Sequence, residues 1–436
     1  MRIGHFLCGL TALVGLLLTN PAQAQVRGGM PAGLPGPGGP PSFPGGIPGP
    51  GSIPATPGTT GPGAIGIARA QSTLEQRLSD RQAERAAELA RTLPGDYELD
   101  RNGALAIRGE VLASGLDAAG LKRLERAGFV LLRSEDIPEL GLSLAVLATK
   151  DLPASRALQK MRSIEPDGTY SLNHVMFESG TGAASCGEEP RNRSGAASAP
   201  VRVGLVDTGV AQAIDLLPGV QIERRNFAPS PSRADPHGTA VADLLTRGLG
   251  GTTVYAADIF GTDRRGGTSE LLARALGWMA RERIPVINVS MVGPANAIVE
   301  LAVRRLVSNG FVIVAPVGND GTAARQLYPA SYPGVIAVSG SDQNGHLLPE
   351  ASRVRRVDFV APGIARVTGP SGRQAQMRGT SFAAPIVARL IADDFTFPDP
   401  VGARKRIDAL AKKATRPKQD SKWFGRGLIH AAMPDC

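Results

Sequence analysis

Aromatic side chains are scarce in this 436-residue chain: Phe, Trp and Tyr make up 4 % of it, with two Trp in all. Sequence-tolerant binding of single-stranded nucleic acid depends on aromatic stacking platforms, so a nucleic-acid partner is not expected. Cysteine numbers three, too few for a disulfide-built scaffold or a multi-cysteine zinc module. No apolar run approaches the roughly 20 residues that cross a bilayer. The stretch Leu10 to Leu18 is stopped by Asn20 and Pro21. What is present points elsewhere. Hydrophobic residues make up 42 % and charged ones 20 %, so a chain of this length can bury the cores of two or three domains. The net charge of +9 permits an anionic partner without identifying one.

Glycine (54) and proline (35) are unevenly spread. Residues 28–66 hold 14 Gly and 11 Pro without a three-residue period, which excludes collagen and reads as a disordered linker. Ahead of it, Arg2, the Leu10–Leu18 apolar stretch and Ala22-Gln23-Ala24 have the form of a secretory signal. The organisation expected is therefore a signal at 1–24, a disordered Gly/Pro-rich linker at 25–67, a small α+β domain at 68–177, a linker at 178–199, and a large α/β domain at 200–436. In the small domain a helix comes first, with Leu74, Leu78, Leu89 and Leu93 near one face. It is followed by strand Leu105–Leu112, helix Asp117–Ala127 capped by Asp117, strands Phe129–Arg133 and Leu142–Ala148, helix Pro153–Ile164 and strand Tyr170–Met176. That order is a split βαβ unit. In the large domain, buried runs at Val203–Val206, Val254–Ile259, Val286–Val289, Phe311–Val314 and Val335–Val338 alternate with helical patterns near 268–282 and 295–309. A parallel sheet with helices on both faces follows.

Three motifs in this domain carry chemistry. Val203–Gly209 ends a buried strand on Asp207-Thr208-Gly209, a carboxylate where parallel sheets build their sites. The same residues could present half of an aspartic-protease dyad, and alone they do not separate the two. His237-Gly238-Thr239 opens a helix with an imidazole that titrates near neutrality. Gly379-Thr380-Ser381-Phe382-Ala383-Ala384-Pro385 begins another helix, with Pro385 read as part of its first turn, where no N–H donor is needed. Asp, His and Ser in that chain order match one of the known orders of the catalytic triad.

Together with these motifs, Val286–Pro294, Phe311–Gly321, Tyr328–Asp342, Val357–Gly363 and Gly425–Ala432 make the region 200–436 resemble the subtilisin-like serine peptidase family. The aspartic reading accounts only for the first motif. The resemblance implies a subtilisin-like fold and an exported serine endopeptidase acting through an acyl-enzyme. In it Ser381 is the nucleophile, His237 the base and Asp207 its orienting partner, with Asn319 and the Ser381 N–H as the oxyanion hole. It further implies that Ser290, Met291, Val292 and Gly318 line the substrate strand, and that the domain at 68–177 resembles a propeptide, an intramolecular chaperone and inhibitor. The different-class alternative is an idle envelope protein that binds peptides in the same cleft.

Departures from the family shape further expectations. Val292 stands where the family usually has glycine, so a small residue is expected before the cleaved bond. Leu244 to Tyr255 is short and lacks an acidic cluster, so no calcium site is expected there, and no metal or cofactor beyond water as co-reactant. Cys186 and Cys436, the pair left after Cys8 of the signal, could form one disulfide or remain free. His174, His346 and His430 show no partner set for a metal. A monomeric protein, secreted or periplasmic and without a membrane span, is expected. Residues 404–426, with nine Lys/Arg against two Asp/Glu, read as a solvated basic helix.

Overall fold

A computed structural model describes residues 82–150, 152–185, 200–214, 219–248, 251–263, 265–322, 324–417 and 421–431. The expected signal and Gly/Pro linker lie outside the described residues, as do Cys186 and Cys436.

The N-terminal domain opens on helix α1, described over 82–92. It continues through β1 (Tyr97–Leu99), β2 (Leu105–Ser114), α2 (Ala118–Arg126), β3 (Val130–Ile137), β4 (Leu142–Ala148), α3 (Ala154–Ile164) and β5 (Thr169–His174). All pairings are antiparallel, β3 on β4, β4 on β2 and β2 on β5, with β1 on the first part of β2. The split βαβ order is thus the one expected. Asp117 caps α2 by accepting the Gly120 N–H at 2.6 Å, which satisfies one of the orphan donors of the first turn. The alternation of β2 and β4 sends Val111, Ala113, Ala145 and Leu147 into a core with Leu124 of α2 and Met161 of α3. The opposite face carries Leu112, Leu142, Leu144 and Val146, which join the core of the large domain instead.

The large domain centres on seven parallel strands. They are β8 (Val201–Asp207), β9 (Val220–Asn226), β10 (Thr252–Asp258), β11 (Val286–Val289), β13 (Val312–Pro316), β14 (Ile336–Ser341) and β15 (Phe359–Pro362). Their order is β15-β14-β13-β11-β8-β10-β9. From β8 the chain passes to the edge strand β9, returns to β10 between the two, then crosses to β11 and runs outward through β13 and β14 to β15. The carboxyl end of β8 therefore lies at the switch point where open sheets of this kind place their sites. Buried side chains alternate across the sheet. Val203, Leu205, Val286, Val312, Val314 and Val338 face α4 (Pro236–Thr246) and α7 (Thr380–Ala392). Val206, Ile287, Val289, Ile313 and Ala337 face α5 (Ser269–Arg281) and α6 (Ala297–Ser308). Gly204 makes this possible on β8: a Cβ there would lie 2.7 Å from Met279 Sδ on α5. The basic segment begins as α8 (Pro400–Lys413), which buries Ala403 and Leu410 and leaves most of its cations exposed.

The two domains meet along α5 and α6. Gly277 lets Ile137 approach, since a Cβ there would meet Ile137 Cγ2 at 2.5 Å. Asn173 Oδ1 accepts the Glu270 N–H at 3.2 Å at the start of α5, and Asn296, the cap of α6, donates to Leu172 O at 2.8 Å. Arg133 bridges Glu110 of its own sheet, at 2.8 Å, and Glu270 of α5. Arg274–Glu135 and Arg281–Glu139 flank it.

Beyond β5 the expected linker begins as strand rather than loop. Residues β6 (Phe177–Glu178) and β7 (Thr181–Ser185) pair with β12 (Met291–Val292) and with β17 (Gln374–Arg378), the latter already paired to β16 (Ile364–Thr368). Glycine, serine and alanine there suggested a spacer, but strand pairing uses the backbone, which composition does not report.

Candidate active site

Asp207 is the last residue of β8 and is buried. Its Oδ1 accepts the Thr208 N–H at 2.7 Å and stands 2.8 Å from His237 Nδ1. His237 is held from the other side as the second residue of α4, where Asp235 caps the helix by accepting the His237 N–H at 2.8 Å. The glycine that follows the histidine has a steric reason. A Cβ on Gly238 would lie 2.3 Å from Thr208 O, and its N–H donates to Thr208 Oγ1 at 2.9 Å. Only glycine lets the two motifs close on each other. His237 Nε2 stands 3.0 Å from Ser381 Oγ, and the Phe382 ring packs at 5.3 Å from the imidazole centroid.

Burial pushes the His237 pKa down, but the charges of Asp207, Glu178 and Asp235 and the hydrogen bond to Asp207 outweigh it, leaving it raised. An imidazole in this setting takes a proton readily and keeps it next to a carboxylate.

Ser381 is the second residue of α7, where backbone N–H groups have no partner inside the helix. Pro385 is the sixth residue of that helix, not part of its first turn. Its missing N–H leaves the Ser381 carbonyl without the usual donor four residues on. Ser290 Oγ donates to that carbonyl instead, at 3.2 Å, and is itself fixed by Asn288 Nδ2 at 2.7 Å. Asn319 is aimed by a hydrogen bond from the Thr380 N–H to its Oδ1 at 2.9 Å. Gly379 (φ +144°) leaves room for it, since a Cβ there would sit 3.0 Å from Asn319 Nδ2.

The chain itself lies across these groups. Ser381 N–H donates to the Ser179 carbonyl at 3.2 Å, and Asn319 Nδ2 donates to Ser179 Oγ at 3.3 Å. Upstream, Glu178 and Phe177 pair antiparallel with Met291 and Val292. Of the residues expected on the substrate strand, Met291 and Val292 thus meet an extended segment and Ser290 reaches the Ser381 backbone. Gly318 (φ +100°) sits apart from these pairings, its carbonyl accepting the Ser352 N–H at 3.0 Å. Among the other histidines, His174 is buried between Asp100 and Asn296, His346 contacts Asp342, and His430 contacts Thr415. No group of three or more His, Cys, Asp or Glu with metal-site geometry occurs among the described residues.

Residues 198–399 match the Subtilase family. Subtilisin BL of Lederbergia lenta is 30 % identical over 250 residues, which span 53 % of this chain and 89 % of that protein. The chain belongs to the subtilase family. It is a serine-type endopeptidase, as are the subtilisins and alkaline proteases it resembles. M-protease of Shouchella clausii is 28 % identical over 336 residues, 72 % of this chain and 84 % of that protein. Residues 198–436 are only 239 of the 436 positions, so this match reaches into the N-terminal domain. Among solved structures, fervidolysin of Fervidobacterium pennivorans shares the fold at a TM-score of 0.62 and 20 % identity, covering 78 % of this chain and 64 % of that one. The epidermin leader peptide processing serine protease of Staphylococcus aureus does so at 0.57 and 15 %, covering 74 % and 96 %.

In this subtilase, sequence reasoning missed Ser179 and Gly180 at Ser381, Gly379 and Thr380 beside Asn319, and Asn288 behind Ser290. The signal for Gly379 and Thr380 lay in the serine motif itself. Nothing local marked Ser179 and Gly180, because their position is set by how the N-terminal domain docks.

Proposed function

We propose that this subtilase is made as an exported precursor and hydrolyses peptide bonds in protein substrates through Asp207, His237 and Ser381. The observation that carries the reading is the line Asp207 Oδ1–His237 Nδ1–His237 Nε2–Ser381 Oγ, at 2.8 and 3.0 Å, with a chain carbonyl resting on the Ser381 N–H. Ser381 Oγ attacks the carbonyl carbon as His237 Nε2 takes its proton. Asp207 holds the imidazole in the tautomer with Nδ1–H and stabilises the cation. Charge developing on the carbonyl oxygen is met by the Ser381 N–H and the Asn319 amide. His237 then protonates the leaving amine, and water hydrolyses the acyl-enzyme by the same path in reverse order. Strand pairing at Met291–Val292 supports binding of extended substrates through main-chain bonds.

The domain read at 68–177 serves as folding assistant and inhibitor, and the mature enzyme works as a monomer outside the cytoplasm. Among the described residues no helix is long and apolar enough to cross a membrane, and residues 1–24 have the form of a secretory signal. Labelling by a fluorophosphonate probe and hydrolysis of casein, both lost in Ser381→Ala while the circular dichroism spectrum is unchanged, is the expected result. Casein hydrolysis by the purified variant at the wild-type rate would remove the mechanism.

A further inference from the structure

We propose that the peptide bond Ser179–Gly180 is cut by this chain's own Ser381, and that the cleft selects a small residue before the bond and glycine after it. The inference rests on the function proposed above and adds the bond and the selectivity.

Segment 175–178 is threaded as a middle strand. Val175 bridges Thr268 and the Met176 N–H donates to Gly267 O at 2.8 Å on one side, while Phe177 and Glu178 pair with Val292 and Met291 on the other. The Met176 side chain rests on Gly293, where a Cβ would lie 2.5 Å from Met176 Sδ. Phe177 is buried with Val292, Leu327 and Tyr97, with the Arg85 guanidinium over its ring. These contacts fix the register, and the next residue, Ser179, presents its carbonyl to the Ser381 N–H. Ser179 is itself buried, its hydroxyl lying 3.3 Å from Asn319 Nδ2 and 3.4 Å from Thr380 Oγ1. Serine, a small residue, stands ahead of the bond, while Val292 pairs with Phe177 two residues upstream.

Gly180 has even less room. A Cβ on it would lie 2.7 Å from Ser381 Oγ and 3.0 Å from both His237 Cδ2 and Phe382 Cε2. Any side chain at this position displaces the nucleophile or the base, so glycine is selected by the catalytic groups themselves. On the leaving-group side the backbone continues into β7, which becomes the third strand of the β16–β17 sheet, from Thr181 opposite Arg378 to Ser185 opposite Ala375. The bond is therefore held between two separate strand pairings, one on each side.

In the reaction, the Ser381 Oγ–H adds to the Ser179 carbonyl carbon and the C–N bond to Gly180 breaks. The proton passes through His237 Nε2 to the Gly180 nitrogen, leaving a Ser179 ester on Ser381. One water then adds, giving the Ser179 carboxylic acid and returning the proton to Ser381 Oγ.

The test uses the full chain as expressed, with intact mass and N-terminal sequencing. The expected result is a C-terminal fragment starting at Gly180 in wild type and none in Ser381→Ala. A fragment starting elsewhere, or the Gly180 start persisting in Ser381→Ala, would overturn the inference. So would an uncut wild-type chain that still hydrolyses casein, and that result would leave the proposed function standing. Wild type that neither labels with fluorophosphonate nor hydrolyses casein after removal of the N-terminal domain would defeat the function itself. A synthetic peptide of residues 175–184 given to the mature enzyme tests selectivity apart from folding. Replacing its glycine at position 180 by alanine should slow cleavage about 100-fold, the scale of an ångström misplacement in a catalytic site. Equal rates for the two peptides would overturn the glycine requirement.

Discussion

Between its two helix layers the parallel sheet buries aliphatic side chains on both faces, whereas the N-terminal sheet covers one face with its own helices and sets the other on α5 and α6. The rim of that second contact is ionic. Arg133, Arg274 and Arg281 meet Glu270, Glu135 and Glu139 across it. Partly exposed ion pairs are screened by added salt, which does not weaken aliphatic burial. The contact between the domains thus adds a salt-sensitive rim to aliphatic burial of the kind that also holds the parallel sheet.

The sharpest test of the large domain is at its proposed chemistry. Asp207→Asn should keep the fold and lower kcat by about 10⁴, as expected when the imidazole loses its correct tautomer. Steady-state kinetics on a peptide substrate checks this, and a loss under tenfold would separate Asp207 from the mechanism. Next is the sheet itself. Leu205, fully buried between β8 and the α4/α7 layer, should cost about 2–5 kcal/mol when changed to alanine. A urea titration should show a lower midpoint with the same slope, in either salt regime.

The contact between the domains should respond differently. Arg133→Ala leaves Glu110 and Glu270, both largely buried, without their shared cation. Arg133 is itself nearly half exposed, so the loss is set at about 1–3 kcal/mol, the cost of leaving a buried hydrogen-bond partner unsatisfied. Hydrogen exchange at β2–β5 amides should speed up in low salt, and the gap to wild type should narrow as salt rises. A gap that is independent of salt would place the contact with the aliphatic core instead. The smallest effect concerns pH. His237 must be neutral to accept the proton, and Asp207, Glu178 and Asp235 raise its pKa against burial. The acid limb of the self-cleavage rate should therefore lie above the ordinary histidine range, with activity gained as pH rises. Glu178→Gln removes one of the raising charges and should move that limb to lower pH, without changing the alkaline plateau.

The catalytic side of this comparison was legible in the sequence because its side chains do chemistry at fixed spacing. Asp207, His237 and Ser381 each sit in a motif whose neighbouring glycine or threonine has a geometric duty, as Gly238 has against Thr208. The N-terminal domain could be read only through alternation, which found β2, β4 and α2 but placed the end of β3 short of Ile137. Edge strand β9 escaped because its exposed residues Glu223, Arg224 and Arg225 break the apolar pattern. Segment 177–185 escaped for a deeper reason. Its pairing partners lie at 291–292 and 374–378, and no local signal reports a contact made so far along the chain.

Pro385 has a wider consequence. By interrupting the hydrogen-bond ladder of α7, it lets Ser290, just ahead of β12, donate to the Ser381 carbonyl. β12 and the start of α7 are thereby tied together through one side-chain hydrogen bond. Under the roles proposed for these residues, a gap in one helix links the strand that pairs with substrate to the residue that attacks it.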